Sequence, residues 1–469
     1  MKTPYYIIYE DRLRKNLELI SRVSREGDVK IIMAFKANAL WKTFPIIREY
    51  VTSSTASSLN EMRLSLEFLG DDVHAYCPVY TKESFPEFLE GCSHITFNSL
   101  SQFSTFYPEV KNYNSNHPER SVSCGLRVNP HCSVIETDIY NPCVPGSRFG
   151  VNADDLPEEL PEGLEGFHFH ALCESSSYDL EKVLDAFIVQ FGKWLPKLKW
   201  LNMGGGHLMT RQGYDVDHLL SLLKRLHQDY PNLELIMEPG SAFTWQTGDL
   251  VTEVLDVVEE AGIKTAIIDA SFACHMPDCL EMPYRPNILE ALPDDSAGIS
   301  YRLGGNSCLS GDFVGDWKFD KDLEPGQRLT LLDMNHYTTV KTNMFNGIQH
   351  PSIWLQPKEG APILLRHYSY EDYKNRLDYS KRRSLTSVGL RLFYNSFFQK
   401  AILPFWACST IFLPGMRYIS RRRFFFRLSI ESFGLRGMES PSAYENRYLV
   451  SMPELSNQSK TEFTLSAVN

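Results

Sequence analysis

Two rhythms of apolar and polar residues run through residues 28–240. Short apolar runs bounded by Gly, Pro, Asn and Ser recur eight times: VKIIMAFKAN, TSSTASS, DVHAYCPVY, HITFNS, SVSCGLRVNP, LEGFHFHALC, LKWLNMGGGH and LELIMEPGSA. Between several of them lie LNEMRLSLEFLG (59–70), DLEKVLDAFIVQFGKWL (179–195) and DVDHLLSLLKRLHQDY (215–230), whose apolar residues recur at three and four. The first pattern suits buried strands and the second suits helices packed on a sheet. Eight strand-and-connection repeats predict an α/β fold, a closed TIM-like (β/α)8 barrel. A doubly wound open sheet is the structural alternative.

After residue 240 the runs become short, often alternating, and separated by Gly, Pro and Asp: LVTEVLDVVEE, KTAIIDASFA, ISYRLGG, QRLTLLDMNHYTT and PSIWLQP. They predict a second, antiparallel β domain over 241–377. The opening run YYIIY (5–9), set apart from the barrel by a charged helix, is expected to pair into it, so residues 1–27 join the β domain. Residues 378–469 are basic and aromatic, with stretches such as RYISRRRFFFRLS, and are expected to form an atypical, poorly ordered extension. Its apolar run Ala401 to Met416 carries Pro404 and Pro414 and is shorter than a bilayer needs, so membrane contact of the tail is not expected.

The charge follows the same division. The tail carries 13 Lys and Arg against 6 Asp and Glu, while residues 1–377 carry 34 against 52. A body this acidic gives no support to nucleic-acid binding and favours approach of a polycation. The ten cysteines show no CxxC pair, and MKTPYYIIYEDRLRKN has no apolar signal-peptide core. Reduced thiols in a cytoplasmic enzyme, without a metal site, are the expectation.

Reactive or flexible residues fall at the ends of the strand runs: Lys36, Asn98, Asn129, His170, Gly204 to Gly206, and Glu238. In a barrel these ends converge on one mouth. A lysine closing an apolar strand is partly desolvated, which frees its amine for Schiff-base formation. Consecutive glycines expose backbone N–H groups to a phosphate. A carboxylate such as Glu238 can hold a protonated pyridine nitrogen, and the His170 imidazole can stack on a ring; His168 faces the same way and competes for that role.

The ordered set AFKAN, FHFH, GGG and EPG, followed by GGNSCLSGD (304–312), HYT (336–338) and FNG (345–347), resembles the fold-III pyridoxal 5′-phosphate decarboxylases over residues 1–377. That resemblance implies Lys36 as the lysine bonded to the cofactor, His170 stacked on the ring, Gly204, Gly205 and Gly206 on the phosphate, Glu238 at the pyridine nitrogen and Tyr337 on the phosphate. It implies Cys308 as proton donor in the partner subunit's site, hence a homodimer. Leu309 stands where diaminopimelate and ornithine enzymes carry an acidic residue, and Ser241 replaces an arginine. Both departures point away from those substrates. The segments HALCES (170–175), ASFACHMPDCLEMPYRP (270–286) and MNHYTTVKTNMFNG (334–347) resemble the branch acting on carboxynorspermidine and carboxyspermidine in polyamine biosynthesis. Asp278 and Glu281, with Asp312 as a further candidate, are the acids expected to hold the distal ammonium groups of such a small-molecule substrate. Other basic amino-acid decarboxylases of this fold, or a catalytically silent binding protein, are the alternatives; Leu309 argues against the first, and Lys36 with Cys308 against the second.

Overall fold

A short strand, Tyr5–Tyr9 (β1), leads into helix Glu10–Gly27 (α1), and the barrel then begins. Its first stave is interrupted at Ile32 into Val29–Ile31 (β2) and Met33–Ala34 (β3). Ser53–Ala56 (β4), Asp72–Tyr76 (β5), His94–Phe97 (β6), Ser123–Arg127 (β7), Leu164–His168 (β8), Trp200–Asn202 (β9) and Glu234–Met237 (β10) follow. Neighbouring strands pair in parallel in chain order, and the ring closes through the interrupted stave, because β2 lies beside β10 while β3 lies beside β4. Each of the eight apolar runs contributes one stave, so the closed barrel holds and the open sheet is excluded.

The outer layer includes Leu59–Phe68 (α3, after the single turn α2, Phe44–Ile47), Phe85–Gly91 (α4), Leu100–Asn116 (α5), Ser177–Phe191 (α6) and Val216–Asp229 (α7). Several start where the sequence supplies a side-chain acceptor for a free N–H group. Ser58 caps α3, Ser99 caps α5, Asp215 caps α7, and Ser176 with Asp179 forms a capping box on α6. One face of α7 buries Leu219, Leu222, Leu223 and Leu226.

Trp200 fills the end of the barrel remote from Lys36. A Cβ on Gly125 or Gly166 would stand 2.0 Å from its indole, so β7 and β8 both need glycine there. Its Nε1 donates to Ser123 Oγ at 2.9 Å. Beside it lies a polar cluster: Lys30 Nζ is 2.7 Å from Asp72, and the His74 and His94 rings stack at 3.9 Å.

The second sheet contains Gly248–Glu260 (β11), Ile263–Ile268 (β12), Ile299–Gly304 (β13), Phe313–Phe319 (β14), Arg328–Leu331 (β15), Ser352–Gln356 (β16) and Ile363–Arg366 (β17). The N-terminal strand β1 sits at its centre, antiparallel to β11 with Tyr5 opposite Val251 and parallel to β16. The sheet is therefore mostly antiparallel, with parallel pairs only at β1–β16 and β12–β13.

The computed structural model describes residues 1–378, save 136 and 283, together with four short strands beyond them. Those strands belong to a separate unit, Tyr379–Asn469, and form two antiparallel pairs: Arg417–Ser420 (β18) with Arg423–Phe425 (β19), and Tyr448–Ser451 (β20) with Thr464–Ala467 (β21). The expectations of poor order and of no membrane contact for the rest of the tail lie outside the described residues. Among the described residues no helix is long and apolar enough to cross a membrane. The nine described cysteines are free thiols.

Candidate active site

The C-terminal ends of the barrel strands surround a cavity of about 210 Å³ lined by Lys36, His170, Gly205, Gly206, Glu238 and Tyr337 among others. Six residues singled out from separate stretches of sequence thus meet in one place. Lys36 Nζ is reached through the cavity, and it lies 3.0 Å from His170 Nε2. Enclosure by protein pulls the lysine pKa down, opposed by the charge of Glu238. Burial, then the nearby lysine, holds His170 well below the usual imidazole range. The Gly205 N–H donates to His170 Nδ1 at 3.2 Å, so that nitrogen carries no proton. A neutral His170 then bears its hydrogen on Nε2 and donates to Lys36, whose nitrogen must be the free amine. Burial and tautomer together prepare a nucleophile.

Glu238 is buried across the cavity from the lysine. Its Oε1 accepts from Asn202 Nδ2 at 2.7 Å, and Asn202 Oδ1 accepts from the Gly204 N–H at 2.9 Å. The Glu238 N–H donates to Gly204 O at 2.7 Å, which locks the glutamate to the glycine turn through backbone as well as side chain. Its Oε2 stands 3.7 Å from both His168 Nε2 and His170 Nδ1, with no hydrogen bond. His168 itself is fully buried, neither ring nitrogen has a hydrogen-bond partner, and burial brings its pKa to about 3. Of the two strand histidines, His170 lines the cavity and His168 lies beneath it.

The glycine turn is required by space. A Cβ on Gly205 would lie 2.5 Å from Glu238 O and 3.1 Å from His170 Cε1, and one on Gly206 would lie 2.3 Å from the Leu172 backbone. Gly204, with φ 69°, is the hinge of the turn and lies behind the cavity wall. Tyr337 also adopts a left-handed backbone, φ 54°, pinned by its N–H to Ala37 O at 2.7 Å, one residue from the lysine. An amine, a glycine cradle and an unshared carboxylate oxygen around one cavity fit pyridoxal phosphate, which presents an aldehyde, a phosphate and a ring nitrogen. The histidine–glutamate donor set also falls within metal-ligand distance, but the Lys36 amine and the Gly205 N–H already use His170.

Other expected residues lie elsewhere. Asn98 and Asn129 brace loops: Asn98 Oδ1 accepts from Tyr76 and the Gly150 N–H, and Asn129 Oδ1 from the His131 N–H. Asp278 and Glu281 are not cavity-lining; Lys341 holds both, at 2.6 Å from Asp278 Oδ1 and in a short contact with Glu281. Asp312 is buried and ties its loop to the segment at 271–273, accepting from Ser271 Oγ and from the N–H groups of Ala273 and Ser307. Cys308 is exposed between β13 and β14 and stands outside the cavity, its N–H donating to Asn346 Oδ1.

Arg127, Glu174 and Tyr140 are among the cavity residues that the sequence does not single out. Arg127 closes β7, donates to His170 O at 3.2 Å and stacks on Tyr76 and Phe149. A charge ending an otherwise apolar strand was the signal. Glu174 and Tyr140 come from loops, where no periodicity marks them.

A family model described as "Pyridoxal-dependent decarboxylase, C-terminal sheet domain" matches residues 24–335. A carboxyaminopropylagmatine decarboxylase of Synechocystis is 46% identical over 80% of this chain and 96% of that protein. A carboxynorspermidine/carboxyspermidine decarboxylase of Campylobacter jejuni is 38% identical over 80% and 98%. The crystal structure of carboxynorspermidine decarboxylase from Campylobacter jejuni, complexed with norspermidine, superposes with a TM-score of 0.72 at 37% identity, covering 80% of this chain and all of that one.

Proposed function

The chain belongs to the pyridoxal-dependent decarboxylase family, and we propose that it releases carbon dioxide from carboxynorspermidine or carboxyspermidine, leaving norspermidine or spermidine. It is a pyridoxal phosphate-dependent carboxy-lyase of polyamine biosynthesis. The observation that carries the site assignment is that Lys36, 3.0 Å from His170 Nε2, and Glu238, held by Asn202, line one cavity together with the glycine turn. A guanidine-ended substrate is the second reading, favoured by the 46% identity to the carboxyaminopropylagmatine enzyme.

In this reading residues 28–240 are the cofactor barrel, and 1–27 with 241–377 the sheet domain. When bound, the cofactor supplies the sink for the electron pair released as the carboxylate leaves. Lys36 would hold the cofactor through its amine. Glu238 Oε2 would face its ring nitrogen, with the carboxylate held in place by Asn202. His170 would flank the ring, its orientation fixed by the Gly205 N–H. Of the glycine turn, Gly206 with the Tyr337 hydroxyl would receive the phosphate, while Gly204 and Gly205, whose N–H groups go to Asn202 and His170, shape the cradle. Cys308 Sγ delivers the proton that replaces the lost carboxylate, in the site of a second copy. Its exposure outside the cavity supports that arrangement, as do the exposed apolar neighbours Leu309, Phe313 and Phe345, which a partner subunit would cover. The reaction belongs in the cytoplasm, where thiols such as these stay reduced.

The test begins with the absorbance of purified protein. A band near roughly 420 nm is expected from a lysine-bound cofactor, with carbon dioxide released on adding carboxynorspermidine. Lys36→Ala should lose both, and mixing it with Cys308→Ala should restore turnover if sites are shared between subunits. A band with no turnover of any of the three carboxylated polyamines would refute the substrate; no band in the presence of pyridoxal phosphate would refute the reading altogether.

A further inference from the structure

Of the carboxylates around the cavity, Asp278 and Glu281 are both held by Lys341. Burial works against that ammonium, yet the two acids outweigh it and hold its pKa up. Their charge is spent within the chain. Glu238 is aimed at the ring nitrogen. Glu174 also lines the cavity, and among the described residues it has neither a hydrogen bond nor an ion pair through its carboxylate.

Its position is held at two penalties. The backbone of Glu174 is left-handed, φ 47°, a conformation that disfavours a residue with a Cβ. Its neighbours enforce it: the Ser175 N–H donates to Gly206 O at 2.8 Å, and Ser175 Oγ accepts from the Cys173 N–H at 3.3 Å. The carboxylate is also enclosed, and loss of solvent raises its pKa. A desolvated acid that finds no partner among the described residues is destabilising unless something else binds it.

Its place in the cavity suggests what that is. Glu174 lines the same cavity as Lys36, from the loop that follows β8, so a substrate joined at the lysine shares that cavity with a carboxylate other than Glu238.

We propose that Glu174 is a specificity-determining residue whose carboxylate receives the distal cation of the substrate, ammonium or guanidinium. This rests on the decarboxylase reading above and deepens it. The backbone strain aims the side chain into the cavity, and substrate binding supplies the missing counter-charge. A charge-assisted hydrogen bond made equally in ground and transition states alters KM and leaves kcat.

The experiment compares the wild-type holoenzyme with Glu174→Gln on carboxynorspermidine, carboxyspermidine and carboxyaminopropylagmatine. KM should rise about tenfold to a hundredfold on the preferred substrate with kcat and cofactor absorbance nearly unchanged. Norspermidine should inhibit the variant more weakly by a similar factor, whereas N-propyl-1,3-diaminopropane, which lacks one terminal amine, should inhibit both proteins alike. The substrate with the largest KM change identifies the cation. Unchanged KM in a turning-over enzyme overturns this proposal alone, as does a loss of cofactor or of kcat in place of KM. No turnover of any substrate by wild type overturns the decarboxylase reading and this with it. Should Glu174→Gln not fold, Glu174→Asp keeps the charge but shortens its reach: an intermediate KM supports the assignment, and a wild-type KM overturns it.

Discussion

Asn202→Ala tests the joint on which the site depends. The amide bridges the Glu238 carboxylate, at 2.7 Å, and the Gly204 N–H, at 2.9 Å, and all three groups are buried. Removing it deletes one hydrogen bond to an ionised acceptor, worth roughly 1.5–3 kcal/mol, and orphans a backbone donor at roughly 1–3 kcal/mol. A loss of about 4 kcal/mol is expected, a large part of the ~5–15 kcal/mol that holds a protein folded. For a chain of this size that corresponds to a fall of about 4–8 °C in Tm. Thermal unfolding is followed by tryptophan fluorescence, since Trp194 and Trp200 are both buried in the barrel. Cofactor retention should fall with it, because Glu238 is no longer aimed. Asn202→Asp preserves an acceptor for Gly204 but sets a second carboxylate against Glu238. One of the pair must then hold a proton, so its deficit should grow as pH rises. An alanine variant within about 1 °C of wild type, with full cofactor content, would refute the reasoning.

Gly205→Ala places a methyl group 2.5 Å from Glu238 O and 3.1 Å from His170 Cε1. Both are fixed, so the cradle must open; the 420 nm band should be lost while far-ultraviolet circular dichroism persists, and a retained band would contradict the packing. His94 is held neutral by burial and then by stacked His74, with its pKa brought down to about 2. The unfolded chain binds a proton there below about pH 6.5, so this stability is present above that pH and is lost as pH falls, at about 1.4 kcal/mol per unit. His94→Phe should flatten the drop in urea-unfolding free energy between pH 7 and 5; an unchanged drop would sink the assignment.

The barrel was legible because six of the eight strand runs end in a residue type that a buried strand does not need. Lys36, His170, the glycine triplet and Glu238 announce themselves at the ends of apolar runs, and the barrel carries all strand ends to one mouth. The capping residues of the helices were equally local, since a cap is set by its neighbours within three positions. Less legible were residues whose state depends on partners far along the chain. Asp278 and Glu281 look free in sequence, yet Lys341, some sixty positions away, takes both charges. Asp312 looks like a ligand for a cation, yet Ser271 and Ala273, some forty positions away, take its carboxylate together with the nearby Ser307 N–H.

Sequence by itself thus determined the order of the barrel elements and the closed barrel, because periodicity, caps and a glycine turn are short-range properties, while the cofactor class followed from the resemblance of its ordered motifs to a known family. Tertiary structure alone decided which carboxylates remain free, since charge is neutralised by whatever the fold brings within a few ångströms. It decided the protonation of Lys36 and His170 for the same reason: the Gly205 N–H that fixes the imidazole tautomer arrives from thirty-five residues away, and burial of the pair exists only once the barrel has closed.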